Sequence, residues 1–320
     1  MSDHDHDTGH ELEAEPADDH RGWEPPEDLK DHRDGPIPHD AEFFQPPPKE
    51  IGALTSAYSS LKFKHQPKSM GVRLIIAALG GAVGAGIGFA LSLVAGEVWA
   101  VIWLILFPIL GLAIGLVATG FNHICTYVGQ YGTAKYTCSK SRENVKEDLF
   151  LFENAAEVRT GLTAHYTNGV YQRTEYYFNW TDERGKTVYK ITGSHRSKDD
   201  TPPAADLYNW GVSAEIAWSQ FLLEDATRQL KERGEYEFGL GGSDFVRIGP
   251  GWVEFNLRGQ TYHCTQDDLA TSTIANGQLT IKRRDAKEGW FSSKGVFKFP
   301  YREIGNARLF MLLFQHLAAP

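Results

Sequence analysis

The apolar positions of this chain follow three different rhythms. Between Val72 and Phe121 they are almost unbroken: VRLIIAALGGAVGAGIGFALSLVAG, then Glu97, then VWAVIWLILFPILGLAIGLVATGF. Beyond Arg73, Glu97 is the one formally charged residue before Cys125. A helix lying half in water shows a polar face every three to four residues, roughly, and neither run has one. About 20 apolar residues suffice to cross a bilayer's hydrocarbon core. The pattern therefore predicts a transmembrane hairpin, with helices at 72–96 and 98–121 turning at Gly96-Glu97.

After a linker at 122–146 the rhythm shortens to a period of two. Phe178 and Trp180 alternate with Tyr177, Asn179 and Thr181, which reads as a strand. LFLF (149–152) is expected to be a buried strand, and KTVYKITG (186–193) another. Asn168-Gly169 signals a type I′ hairpin turn, and Asn276-Gly277 a second turn. Leu207, Trp210, Ala214, Ala217, Phe221 and Leu222 then recur at helical spacing, with Asp206 as a cap and Gly234 as a stop. Strands at 245–257, 260–265 and 279–301 precede a last apolar helix at 304–317. "Several strands, then one helix" thus occurs twice, predicting β-rich modules at 147–235 (helix 206–232) and 240–320 (helix 304–317).

The third regime is the start of the chain. Residues 1–50 hold 16 Asp/Glu against 4 Lys/Arg, with few aliphatic side chains, and predict a disordered acidic tail rich in His and Pro. The remaining residues hold 25 and 28, so the net charge of −9 belongs to the tail. The mean hydropathy of −0.35 averages these unlike parts. His4, His6, His10, His20, His32 and His39 together with the carboxylates form a compositional pattern that could hold zinc or nickel, or a merely solvated tail. Residues 51–71 read as a juxtamembrane segment. No cleavable signal peptide is read at the start, so the first run is expected to be an anchor.

Charge and small residues orient the hairpin. Lys62, Lys64, Lys68 and Arg73 precede it; Lys135, Lys140, Arg142 and Lys146 follow it; the turn has none. By the positive-inside rule both termini face the cytoplasm, and the protein is multi-pass in the inner membrane. Gly80, Gly84, Gly88, Ser92 and Gly96 recur every four residues, answered by Gly111, Gly115 and Thr119. Such spacing lets helix backbones approach closely. The glycines pack the hairpin on itself or dock a partner helix or second copy. No ionisable side chain lies deeper in either run, which argues against a pore or pump made by this chain alone.

The stretches LTIKRRDA (279–286), GWFSSKGVFKFPY (289–301) and IGNARLFMLLFQHL (304–317) resemble tandem pleckstrin-homology-like domains of uncharacterised bacterial membrane proteins. The resemblance implies an α+β fold, a membrane hairpin followed by two such modules, and lipid or protein docking without catalysis; it carries over no functional residues. Lys282, Arg283, Arg284, Lys287 and Lys294, with Lys298, cluster around Trp290 and Phe291, as a surface for anionic headgroups or a membrane-proximal protein would. The chain lacks GKS/GKT, GxSxG, HExxH and HRD motifs, and no cofactor or metal site is assigned. It is acidic overall and has no nucleic-acid recognition motif. Cys125, Cys138 and Cys264 form no CxxC pair; Cys264 is expected to face away from His263 on one strand. Cys138 beside Lys135 and Lys140 reads as a candidate for an activated thiol, and Cys125 for lipidation. Three readings follow: a membrane-anchored binding protein, an accessory subunit docking through the glycine face, and an enzyme without a recognisable motif.

Overall fold

A computed structural model describes residues 23–62, 70–94, 97–118, 122–138, 144–197, 201–275, 277–289 and 292–318. Among the described residues, four antiparallel sheets and four α-helices are assembled in an order that repeats. The first four-stranded sheet runs β1 (Leu54–Ser59), β2 (His123–Gly129), β3 (Gly132–Cys138) and β4 (Val145–Leu151). A three-stranded sheet follows, β5 (Glu157–Thr167), β6 (Val170–Thr181) and β7 (Thr187–His195). Between β1 and β2 stand α1 (Met70–Ser92) and α2 (Glu97–Ala118), and helix α3 (Leu207–Arg233) closes the unit. The second unit repeats four strands, three strands and a helix. Its first sheet is β8 (Tyr236–Gly241), β9 (Asp244–Gly249), β10 (Trp252–Leu257) and β11 (Gln260–Thr265). Its second is β12 (Leu269–Ala275), β13 (Gln278–Gly289) and β14 (Ser292–Pro300), before α4 (Ala307–Leu317).

The predicted boundaries therefore change. The first module starts at Leu54, ahead of the helices, and the stretch 122–146 is not a linker, because it holds β2, β3 and the start of β4. The segment 51–71 carries β1, and the second module begins at β8 rather than residue 240. LFLF splits: Phe150 is buried, Leu149 faces out, and Phe152 belongs to a short 3-10 turn. The last helix begins at Ala307 rather than 304, because Asn306 adopts a left-handed conformation (φ 52°) that a helix cannot continue.

Residues 23–50 also depart from the expected disordered tail. They form a strap around the first sheet; residues 1–22 lie outside the described residues. Phe43 and Leu29 bury against Ala57, Cys125, Tyr127, Ala134 and Tyr136, while Trp23 packs edge-on at 5.2 Å from Phe43 and 5.6 Å from Tyr127. The strap runs beside the free edge of β1, where Lys30 bridges Ser56 and its carbonyl accepts from the Ala57 amide (3.0 Å). It thereby covers both a sheet edge and a sheet face. Three aromatic residues in 23–50, Trp23, Phe43 and Phe44, supply this burial despite the acidic composition.

Sequence chemistry accounts for the regular parts. On β6, Thr174, Tyr176, Phe178 and Trp180 are buried in alternation. Asn168 and Gly169 both have positive φ, as a type I′ turn requires. Asp206 caps α3 by accepting from the Tyr208 amide (3.0 Å), and Gly234 ends it left-handed. That helix serves both modules. Trp210, Ala214, Ala217 and Trp218 fill the first core, whereas Ala226, with Leu222 and Leu230 beside it, joins the core of the second.

Candidate functional site

Helices α1 and α2 pack antiparallel through their small residues. A Cβ on Gly80 would strike the Gly111 carbonyl, on Gly84 the Phe107 carbonyl, on Gly88 the Trp103 carbonyl, and on Gly115 Ala77. The predicted glycine faces are thus occupied by each other. Ser92 donates to the Phe89 carbonyl (2.7 Å), and Gly96 lies outside the described residues. Gly86, by contrast, has nothing within 4 Å. The remaining surface is apolar: Leu74, Ile75, Leu79, Val83, Ile105, Ile109 and Ile114 are all more than half exposed. The stretch Gly71–Ser92 is long and apolar enough to cross a membrane by length and composition; that of the second helix, Trp99–Gly115, is shorter.

The two ends of this insertion leave one sheet side by side. Ser59 on β1 pairs with Cys125 on β2, the Ser60 amide donates to the Ile124 carbonyl (2.9 Å), and the Ile124 amide donates to Ser60 Oγ (2.9 Å). The opposite end of that sheet, at Leu54 and Gly129, leads towards the second module. Trp210 donates to the Tyr127 carbonyl in mid-strand, Phe221 meets Tyr131 just past the end of β2, and Leu222, Ala226 and Leu230 continue into the second core.

The predicted basic cluster lies in the second module. Lys282, Arg283, Arg284 and Lys287 are on β13 and Lys294 is on β14. Strand pairing brings Lys287 directly opposite Lys294. Arg283 Nε holds Asp285 at 2.9 Å and Arg284 Nε donates to the Leu269 carbonyl at 3.1 Å. Trp290 and Phe291 lie outside the described residues.

Sequence reading missed two polar centres, each made by residues far apart in the chain. Asn306 is buried between the modules. Its Oδ1 accepts from the Val158 amide (2.9 Å) and Trp218 Nε1 (2.8 Å), while its own amide donates to the Val158 carbonyl (2.9 Å). Next to it, Glu215 on α3 is buried with Arg308 Nε 3.5 Å away, and burial raises its carboxyl above the usual range against the pull of that guanidinium. The only local signal was the Gly305-Asn306 pair before an apolar run.

The second centre is His32. Its ring bridges Ser56 Oγ (2.7 Å) and Thr126 Oγ1 (2.9 Å), and Ser213 of α3 donates to its carbonyl (3.0 Å). Burial lowers its pKa from 6.5 to about 3. The unfolded or undocked strap therefore takes up a proton below about pH 6.5 that the docked strap refuses down to about pH 3. Docking strength is complete above pH 6.5 and falls as pH drops through that window, by at most about 1.4 kcal/mol per pH unit for one proton. Hydrogen exchange in 23–50 is expected to speed up tenfold or more between pH 7 and 5 after correction for intrinsic rates. A His32→Gln chain should lose that dependence.

The other candidate groups do not converge. All three cysteines are buried thiols. Burial pushes the Cys125 thiol up to about 11 and raises that of Cys264. This corrects the lipidation reading for Cys125, and burial likewise removes the activated-thiol reading for Cys138. His263 is half exposed while Cys264 is buried, so the two do face opposite ways. Of the histidines in the first 50 residues, His32 is engaged as above and His39 is exposed; His4, His6, His10 and His20 lie outside the described residues. Among the described residues no three His, Cys, Asp or Glu side chains group as a metal site would need. An open groove along α3 is lined by Leu223, Thr227, Arg228 and Lys231, all from one helix.

No protein-family model matches the chain, and no curated protein is similar to it.

Proposed function

We propose that this chain is a membrane-anchored, non-enzymatic binding protein. Its α1–α2 hairpin enters the inner membrane, and its two modules, folded like pleckstrin-homology domains, stand in the cytoplasm with both termini. The observation that carries this reading is the placement of the hairpin. An apolar insertion whose two ends are pinned to adjacent strands must return to the side it left. At about 1.5 Å per residue, α1 is about 34 Å long, close to a hydrocarbon core of about 30 Å. Its exposed leucine, isoleucine and valine side chains would be costly in water, at about 25 cal/mol per Å². The repeated order of four strands, three strands and a helix supports the pleckstrin-homology likeness.

The ligand favoured is an acidic, membrane-proximal protein rather than the tethering bilayer. The second module joins α3 beyond the end of β2 opposite to the hairpin, about 20 Å away at about 3.3 Å per residue. What weighs against the accessory-subunit reading is that Gly80, Gly84 and Gly88 lie against the neighbouring helix.

Alkaline carbonate is expected to leave the chain in the membrane pellet, and protease outside sealed cells to leave both modules intact. Release by carbonate, or digestion of the carboxyl half, would overturn the anchor. In vesicles with and without anionic lipid, equal acylation of Lys287 and Lys294 is expected. Protection by anionic lipid would shift the ligand to headgroups.

A further inference from the structure

We infer that residues 1–22 dock on the basic outer face of β13 and β14 and occupy it until an anionic partner displaces them. This rests on reading that face as an anion-binding surface.

The face is built around a bulge. Strands β13 and β14 pair in order as far as Lys282 and Val296, and the next pair is Lys287 with Lys294. Four residues, Arg283 to Ala286, therefore stand opposite Gly295 alone. Gly295 takes φ +77°, and a Cβ there would lie 3.2 Å from Ala286 Cα. Bulges of this kind re-aim side chains and end regular pairing. Beyond the bulge, Lys287 and Lys294 face each other, and like charges directly opposite destabilise a strand pair. On the near side Lys298 is opposite Thr280, which places it on the same outward face as Lys282, since Leu279, Ile281, Phe297 and Phe299 point into the core. Lys287, Lys294 and Lys298 are exposed and have no carboxylate partner among the described residues. A multivalent anion would relieve the lysine pair and bridge it to Lys298.

The chain carries such an anion. Residues 1–22 hold eight Asp/Glu and a single basic residue, Arg21. They join the strap at Trp23, which is fixed against Phe43 and Tyr127. Twenty-two residues span about 25 Å as a random coil and about 75 Å when fully extended. Tethering holds it at an effective concentration near millimolar, so weak charge pairing is enough to keep the face covered.

The test uses the full chain in neutral lipid discs. Carbodiimide is expected to join carboxylates of residues 1–22 to Lys282, Lys287, Lys294 and Lys298. The yield should drop at least fivefold in 1 M salt and in a Lys287→Gln/Lys294→Gln chain. In mixed heavy and light isotopic chains the crosslinks should stay within one chain. Even labelling of Lys30, Lys62, Lys146 and Lys190, or mixed-isotope pairs, would overturn the proposal. A chain lacking residues 1–22 should bind inorganic polyphosphate at least fivefold more tightly than the full chain. Equal, measurable binding by both would sink the covering tail and leave the anion-binding face standing; no binding by either would sink both.

Discussion

Gly84→Leu is expected to separate the two hairpin helices, while Gly86→Leu changes little. At Gly84 the added Cβ would overlap the Phe107 carbonyl and stand 3.2 Å from Pro108 Cα, so the clash is with backbone and no rotamer relieves it. At Gly86, two residues along the same helix, nothing lies within 4 Å. Apolar helices in lipid gain nothing from hydrophobicity between themselves; they associate through close backbone approach and packing. Forcing a leucine into that contact costs on the order of 2–3 kcal/mol, as overpacking does elsewhere. Cysteines placed at Gly81 and Leu112, where an added Cβ at Gly81 would lie 3.7 Å from the Leu112 Cβ with no clash, are expected to crosslink readily beside Gly86→Leu, and at least tenfold less beside Gly84→Leu. Equal crosslinking in both would mean that the glycines do not hold the hairpin. Loss of a foreign partner with crosslinking unchanged would restore the docking alternative.

Asn306→Ala is expected to uncouple the modules. The substitution strands two buried donors, the Val158 amide and Trp218 Nε1, and removes the bond to the Ala156 carbonyl. It also leaves alanine in a left-handed conformation that asparagine tolerates better. Each stranded donor costs about 1–3 kcal/mol, so a total of about 3–5 kcal/mol is expected. Protease should then cut near Gly234 and the thermal transition should split in two. Asn306→Gly keeps the backbone freedom and loses the same bonds. If it behaves as wild type, the side chain is not the latch. The neighbouring Arg308–Glu215 pair is within reach of that joint, so effects at the two sites should not add.

Where burial has one face, the pattern was readable. Strand β6 has one buried and one open side, and its alternation of Thr174, Tyr176, Phe178 and Trp180 with polar neighbours was visible in the residues themselves. The first sheet was hidden because β2 is buried on both faces, by the strap on one side and by α3 and the second sheet on the other. HICTYVG has no period of two for that reason. Strand β1 was hidden for a different reason. Its partner residues lie 66 or more positions away, across the hairpin, and no local rule pairs Ser59 with Cys125. The basic face was half legible. Its lysines and arginines could be counted, but their register, and with it the Lys287–Lys294 opposition, depends on a bulge centred on Gly295.

By itself the sequence determined the two apolar helices, their small-residue spacing, the turn at Asn168-Gly169, and the caps of α3. Each depends on neighbours within one or two turns of chain. Only the tertiary structure decided that the helices interrupt a sheet, that residues 23–50 wrap it, that His32 stays neutral inside it, and that Asn306 joins the modules. Those features come from burial between segments tens to hundreds of residues apart, where the surroundings rather than the residue type fix what a side chain does.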